Sequence, residues 1–120
     1  MFEKVKALEK KYEGIGVNQY GLLLLTPQEG LAIINELEEL NLDIGILGLG
    51  VWLYEEGRYN EVLGPISFDS MPRDANFVKN SYLEAKKELK AIIKEAIYDR
   101  VEITFESERI REKRLKTNSR

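Results

Sequence analysis

The chain has 120 residues, which suits one compact domain with its own hydrophobic core and leaves little room for a second. It contains no cysteine and no histidine. That removes disulfides, thiolate zinc sites, a cysteine nucleophile, and the commonest general base and metal ligand. The net charge of −3 is uneven: residues 108–120 carry six Lys/Arg and two Glu, which leaves twelve basic and nineteen acidic residues in 1–107, a net of −7. An acidic body repels nucleic acid and favours basic partners, or simply keeps the protein soluble.

Residues 2–13 read as a short helix. Phe2, Val5, Leu8 and Tyr12 recur at helical spacing, and Gly14 is a suitable stop. This charged start has no apolar targeting segment, so a cytoplasmic protein is the expectation. Residues 21–25 form an apolar run consistent with a buried strand. It is too short to cross a membrane and is cut by Thr26-Pro27.

"TPQE" then opens a helix over 27–40, with Thr26 as N-cap, Pro27 at the first position and Glu29 closing a capping box. Ile33, Ile34, Leu37 and Leu40 form its inner face. Glu29, Glu36 and Glu39 are expected on the outer face. Residues 44–54 read as a strand that turns through "EEGR" into a second strand, 58–63, and "GPISF" extends it. A long helix is expected over 74–98, with Asp74 as N-cap. In 101–106 the alternation predicts Val101, Ile103 and Phe105 inward, and Glu102, Thr104 and Glu106 outward. Such a strand could lie at a sheet edge and pair with another chain. The order predicts a single α+β domain over 1–107: a mostly antiparallel sheet of about four to five strands, two main helices and a short N-terminal one. The basic tail, 108–120, is either an extra helical turn or unstructured.

"DIGILGLGVW", residues 43–52, invites a phosphate-loop reading. A Walker loop needs Gly-Lys-Ser/Thr at its end, but Gly50 is followed by Val51-Trp52. The glycine spacing is G-x-x-G-x-G, the reverse of a dinucleotide fingerprint, and a strand pattern runs through it. Parity places Leu47, Leu49, Val51 and Leu53 on one face, and Ile44, Ile46, Gly48, Gly50, Trp52 and Tyr54 on the other. Both faces are apolar, so a central strand is expected, with gaps at Gly48 and Gly50 for a close neighbour.

Glu84-x-Lys86 and Glu88-x-Lys90 imitate a nuclease motif, but on a helix the paired residues point apart. They read as solvated surface. Asp69, Asp74 and Asp99 are isolated and suit caps or turns. Trp52, Tyr54 and Tyr59, flanked by Glu55, Glu56 and Glu61, are either an interface hot spot or core residues covering the glycines.

The segment "GIGVNQYGLLLLTPQEGLAIINELEELNLDIGILGLGVWLYEEGRYNEV", with the later "FVKNSYLEAKKELKAI", resembles the immunity protein 40 family of bacterial polymorphic toxin systems. The likeness spans roughly residues 12–95. It rests on a Gly-hydrophobic-Asn segment before a Thr-capped helix, followed by an Ile-Leu-Gly strand that ends in an aromatic residue. Gly48-Leu49-Gly50 stands where the family commonly has Gly-Gly-Asp. The resemblance implies a small, non-enzymatic, cytoplasmic protein that binds and neutralises a cognate toxin domain, with no cofactor or metal, no nucleic acid and no membrane. On that reading the contact surfaces are the acidic helix face (Glu29, Glu36, Glu39) and the hairpin (Tyr54, Glu55, Glu56, Tyr59). Two other readings stand beside it. One is a carboxylate/lysine metal-dependent hydrolase, which needs residues such as Asp43, Asp69 and Glu102 to converge. The other is an interaction domain with no toxin link.

Overall fold

In the computed structural model, which describes residues 1–62 and 66–118, the chain runs α1 (Phe2–Glu13), β1 (Val17–Gln19), β2 (Leu22–Leu24), α2 (Pro27–Leu40), β3 (Ile46–Glu55) and β4 (Arg58–Glu61). It continues through β5 (Ile66–Ser67), α3 (Phe77–Glu95), β6 (Arg100–Phe105) and α4 (Glu108–Asn118). This is the expected α+β arrangement, with antiparallel strands throughout. The expected continuation of the hairpin to Leu63 and through Gly64-Pro65, and the tail residues 119–120, lie outside the described residues.

β3 is the central strand. Trp52 faces both Glu61 of β4 and Arg100 of β6, and Gly48 faces both Ser67 of β5 and Thr104 of β6. β4 and β5 therefore follow one another along one edge of β3, while β6 runs along the other. β2 joins the far side of β6 through Leu25, whose N–H and C=O exchange hydrogen bonds with those of Val101 at 2.9 and 2.7 Å.

The helices pack on the face that carries Leu49, Val51 and Val101. A Cβ on Gly30 of α2 would lie 2.9 Å from a Val101 methyl and 3.5 Å from Leu89 of α3, so α2 lies almost directly against β6 with α3 beside it. Ile33, Ile34, Leu37, Ala85 and Leu89 are buried there. A fully buried side chain of the Leu/Ile type contributes about 1.5–3 kcal/mol relative to exposure. The capping box of α2 is present: Glu29 N–H donates to Thr26 Oγ1 (3.1 Å) and Thr26 N–H to Glu29 Oε1 (2.8 Å).

Several expectations change. First, the parity of β3 breaks at its start, because the β3–β6 register shifts between Ile46 and Gly48. The extra residue in β3 is a bulge. It turns Ile46 away from the glycine face, so Ile44 and Ile46 join the helix-side core instead of sharing a face with Gly48 and Trp52. The Ile46 N–H donates to Ser81 Oγ of α3 at 3.0 Å. Second, α3 starts at Phe77 with Asn76 as N-cap. The Asp74 carboxylate instead accepts the Asn76 N–H at 2.9 Å, an Asx turn one step upstream of the helix. Third, Glu106 does not face solvent. It is 2 % exposed and accepts the Gly45 N–H (2.7 Å) together with a two-pronged contact from Arg114 (2.9 and 3.0 Å).

That contact anchors α4, a helix of 11 residues where at most a turn was expected. Arg114, 4 % exposed at its side chain, also reaches Asp43, and Arg111 binds the Asp43 carboxylate and carbonyl at 3.0 and 2.7 Å. Burial alone would lower the Arg114 pKa. The bonds from Glu106 and Asp43 outweigh it and raise the pKa, so the guanidinium is held charged.

Candidate partner-binding surface

The β3–β4 hairpin turns through Glu56 and Gly57, with φ of 52° and 81°. Two positive φ angles in a two-residue loop make a type I′ turn, whose twist matches that of the strands. The turn places Tyr54 opposite Tyr59, with ring centroids 5.0 Å apart at 62°, an edge-to-face pair. Tyr54 is 55 % exposed. Arg100 lies over the Tyr59 ring at 5.6 Å and reaches Glu29 at 3.4 Å. Glu55, Glu56, Glu61 and Asp99 are exposed around the pair. Asp99 accepts the Tyr54 N–H at 2.8 Å, a contact between strands in place of the local cap or turn expected of it.

Trp52 is buried, as its core reading requires. It lies on the face of β3 away from the helices, beside Gly50. A Cβ on Gly50 would meet the Glu102 carboxylate at 2.7 Å and the Trp52 indole nitrogen at 3.2 Å. At Gly48 the obstacle is the Ile66 carbonyl of β5, at 2.6 Å. The two glycines therefore admit a neighbouring backbone and a half-buried carboxylate, and this stretch is strand, not loop. The Glu102 pKa is raised by burial, with a smaller push from Glu61.

Glu29, Glu36 and Glu39 of α2 do not form one free face. Glu29 is engaged by the Thr26 cap and Arg100. Glu36 accepts from Lys11 Nζ and Tyr12 Oη, each at 2.7 Å, and so ties α2 to α1. These bonds hold the Glu36 pKa below the usual carboxylate range. Glu39 remains exposed. Asp43, Asp69 and Glu102 serve separate contacts, with Arg111/Arg114, Arg73, and the Gly50 gap respectively. Among the described residues no three acidic side chains gather in a way that could hold a metal ion.

A cleft of about 490 Å³ lies between the C-terminal end of α2 and the start of α3, lined in part by Leu37, Asn41, Val78 and Tyr82. Its size is that of a small-molecule site. The Tyr82 hydroxyl is buried without a hydrogen-bond partner among the described residues, and its pKa is pushed up to about 12, mainly by burial. The acidic groups on its rim are paired, Glu38 with Lys86 and Asp43 with Arg111 and Arg114, and Lys79 also lines it.

Sequence reasoning passed over two residues of the hairpin surface. The Gln19 side-chain amide donates to the Tyr59 C=O (2.6 Å) and accepts from the Tyr59 N–H (3.1 Å). Next to it, Tyr20 is 74 % exposed at the tip of the β1–β2 turn. The signal was present as Tyr20-Gly21 between two apolar segments, a turn pattern, but nothing local links it to Tyr59. Among the described residues no helix is long and apolar enough to cross a membrane. Comparison of the chain with protein-family models, with curated proteins and with solved structures gives no match.

Proposed function

We propose that this chain is an immunity protein, which binds one basic toxin domain in the cytoplasm and covers its active surface without catalysis, cofactor, nucleic acid or membrane. The observation that carries the reading is the edge-to-face pair of exposed Tyr54 and half-buried Tyr59, beside exposed Glu55, Glu56 and Glu61. Partly exposed aromatic anchors with a charged rim have the composition of an interface centre. Carboxylates around them would speed encounter with a basic surface. The hairpin is the main contact in this reading and Glu39 a peripheral one, since Glu29 and Glu36 are held within the fold.

The experiment is co-expression with the toxin domain encoded beside this chain. Survival of the cells and a co-purifying complex are expected. Tyr54→Ala should weaken the complex by about tenfold or more, the size of a hot-spot loss. Continued killing with no complex would overturn the reading.

A further inference from the structure

Tyr59 lies opposite Tyr54, and the β3–β4 ladder determines where its backbone points. Val62 N–H donates to Val51 C=O at 2.8 Å, so Val51 and Val62 are a hydrogen-bonded pair. Bonded and non-bonded pairs alternate in an antiparallel ladder. The register Leu53↔Asn60, Tyr54↔Tyr59 therefore makes Tyr54–Tyr59 a non-bonded pair, with the Tyr59 N–H and C=O turned outward. An outward N–H and C=O on an edge strand normally face water or a pairing strand. Here both are taken by one side chain. The Gln19 amide has the donor and acceptor of a peptide group and occupies the place of one residue of a neighbouring strand.

This staple joins two turns of the same kind. The β1–β2 hairpin, paired Gln19↔Leu22, turns through Tyr20 (φ 54°) and Gly21 (φ 75°), again a two-residue loop with both φ positive. Tyr20 immediately follows the stapled residue and projects into solvent. On the β3–β4 hairpin and at Asp99, which bonds to it, the exposed charged residues are Glu55, Glu56, Glu61 and Asp99 against Arg58. Arg100, the other nearby cation, is half-buried and engaged by Glu29. The tip is thus strongly acidic and carries three tyrosines.

We propose that the two turns form one composite docking tip for a basic protein surface, in which Tyr20 joins Tyr54 and Tyr59 as a contact and Gln19 is the positioning residue. Gln19 acts through geometry: by fixing the β1–β2 turn to β4 it orders Tyr20 before binding, so less freedom is lost when the partner arrives. This rests on the immunity reading for its biological partner, but not for its chemistry.

The test uses the full chain, labelled for NMR, and an arginine–glycine repeat peptide, with a glutamate–glycine repeat as control. The arginine peptide is expected to move the amide signals of Tyr20, Tyr54, Glu55, Glu56 and Glu61 together, with one dissociation constant; the control is expected to move none. Gln19→Met keeps the side-chain length and removes the amide. It should speed exchange of the Tyr59 amide by about tenfold or more as its bond is lost. It should also weaken peptide binding by roughly three- to tenfold, with α2 and α3 signals unchanged. Tyr20→Ala, at a solvent-exposed position, should weaken binding to a similar degree and serves as the readout if Gln19→Met does not fold. Shifts centred on α2 or α3 glutamates would overturn the proposal. So would unchanged peptide affinity in Tyr20→Ala, or unchanged Tyr59 exchange in folded Gln19→Met. The peptide is not a toxin. A failed rescue in cells would therefore overturn the toxin reading alone, and scattered peptide shifts the composite tip alone.

Discussion

At Gly45 there is no room for even a methyl group: a Cβ there would stand 2.3 Å from the Phe77 ring and 3.2 Å from the Glu106 carboxylate. Both neighbours are buried, so neither can swing into solvent. Gly45→Ala is expected to cost about 1–3 kcal/mol by overpacking, measured by urea denaturation. Gly14 is a useful contrast. Its φ is −73° and the nearest atom to an added Cβ is 4.0 Å away. Gly14→Ala should be neutral or gain up to about 1 kcal/mol through the unfolded state. Glu102 gives a prediction about pH. Its folded pKa is raised above the unfolded value by burial, then by Glu61. The carboxyl is therefore best tolerated when protonated, below the unfolded pKa, and destabilises the fold as pH rises through the folded pKa. Glu102→Gln should raise the urea midpoint at pH 7, and the gain should shrink as pH falls toward 4. An unchanged gap across that range would refute it. None of this was visible in the sequence. A glycine in an apolar run shows that something comes close, but the neighbour is a ring 32 positions away at Gly45 and a carboxylate 52 positions away at Gly50.

Among the elements, α2 was the most legible, because every signal that starts it lies within four consecutive residues, Thr26 to Glu29. α4 was the least legible. It has almost no apolar stripe, and its larger apolar residues Ile110 and Leu115 are exposed. What holds it is the charge cluster of Asp43, Glu106, Arg111 and Arg114, assembled from three separate parts of the chain. The same cluster explains why alternation misassigned Glu106: period two assigns a face, but it cannot register a partner eight residues further on. Removing one member of a buried pair leaves the other charge uncompensated, which costs about 3–5 kcal/mol. Glu106→Ala is expected to fall in that range. Hydrogen exchange should show 108–118 losing protection before the sheet does, and uniform loss would argue against a separable helix. The α1–α2 junction titrates in the opposite sense to Glu102. Glu36 has a lowered folded pKa, so its contribution is present above the unfolded value and lost as pH falls through the folded one. Glu36→Gln should therefore destabilise at pH 7 and have little effect in strong acid, read again from urea midpoints.

At the scale of the whole molecule, folding redraws the charge map. The tail looked like a free basic segment, yet Arg111 and Arg114 are spent on Asp43 and Glu106. The acidic stripe read on α2 is likewise broken up by Arg100 and Lys11. At the hairpin, Glu55, Glu56, Glu61 and Asp99 keep their carboxylates exposed. Association with a basic partner should slow as salt rises, chiefly through the on-rate, because exposed charges are screened beyond a Debye length of about 8–10 Å at 0.1–0.15 M. Stopped-flow rates that do not change with salt would contradict that. Fold class was legible from the order of the elements. The sheet's order was not, since β3 takes its partners from 58–67 on one side and 100–105 on the other.

The bracketing of β3 also bears on how the protein folds. β3 and β4 can zip locally, but the longest ladder joins Leu49 to Ile103 and Val51 to Val101, across about half the chain. Loop closure over such a distance comes before its contacts repay it, so the refolding rate should be governed by the arrival of β6. Once formed, the amides in the middle of β3 have no free edge from which to fray. They should exchange only when the whole domain opens, and so report its global stability directly.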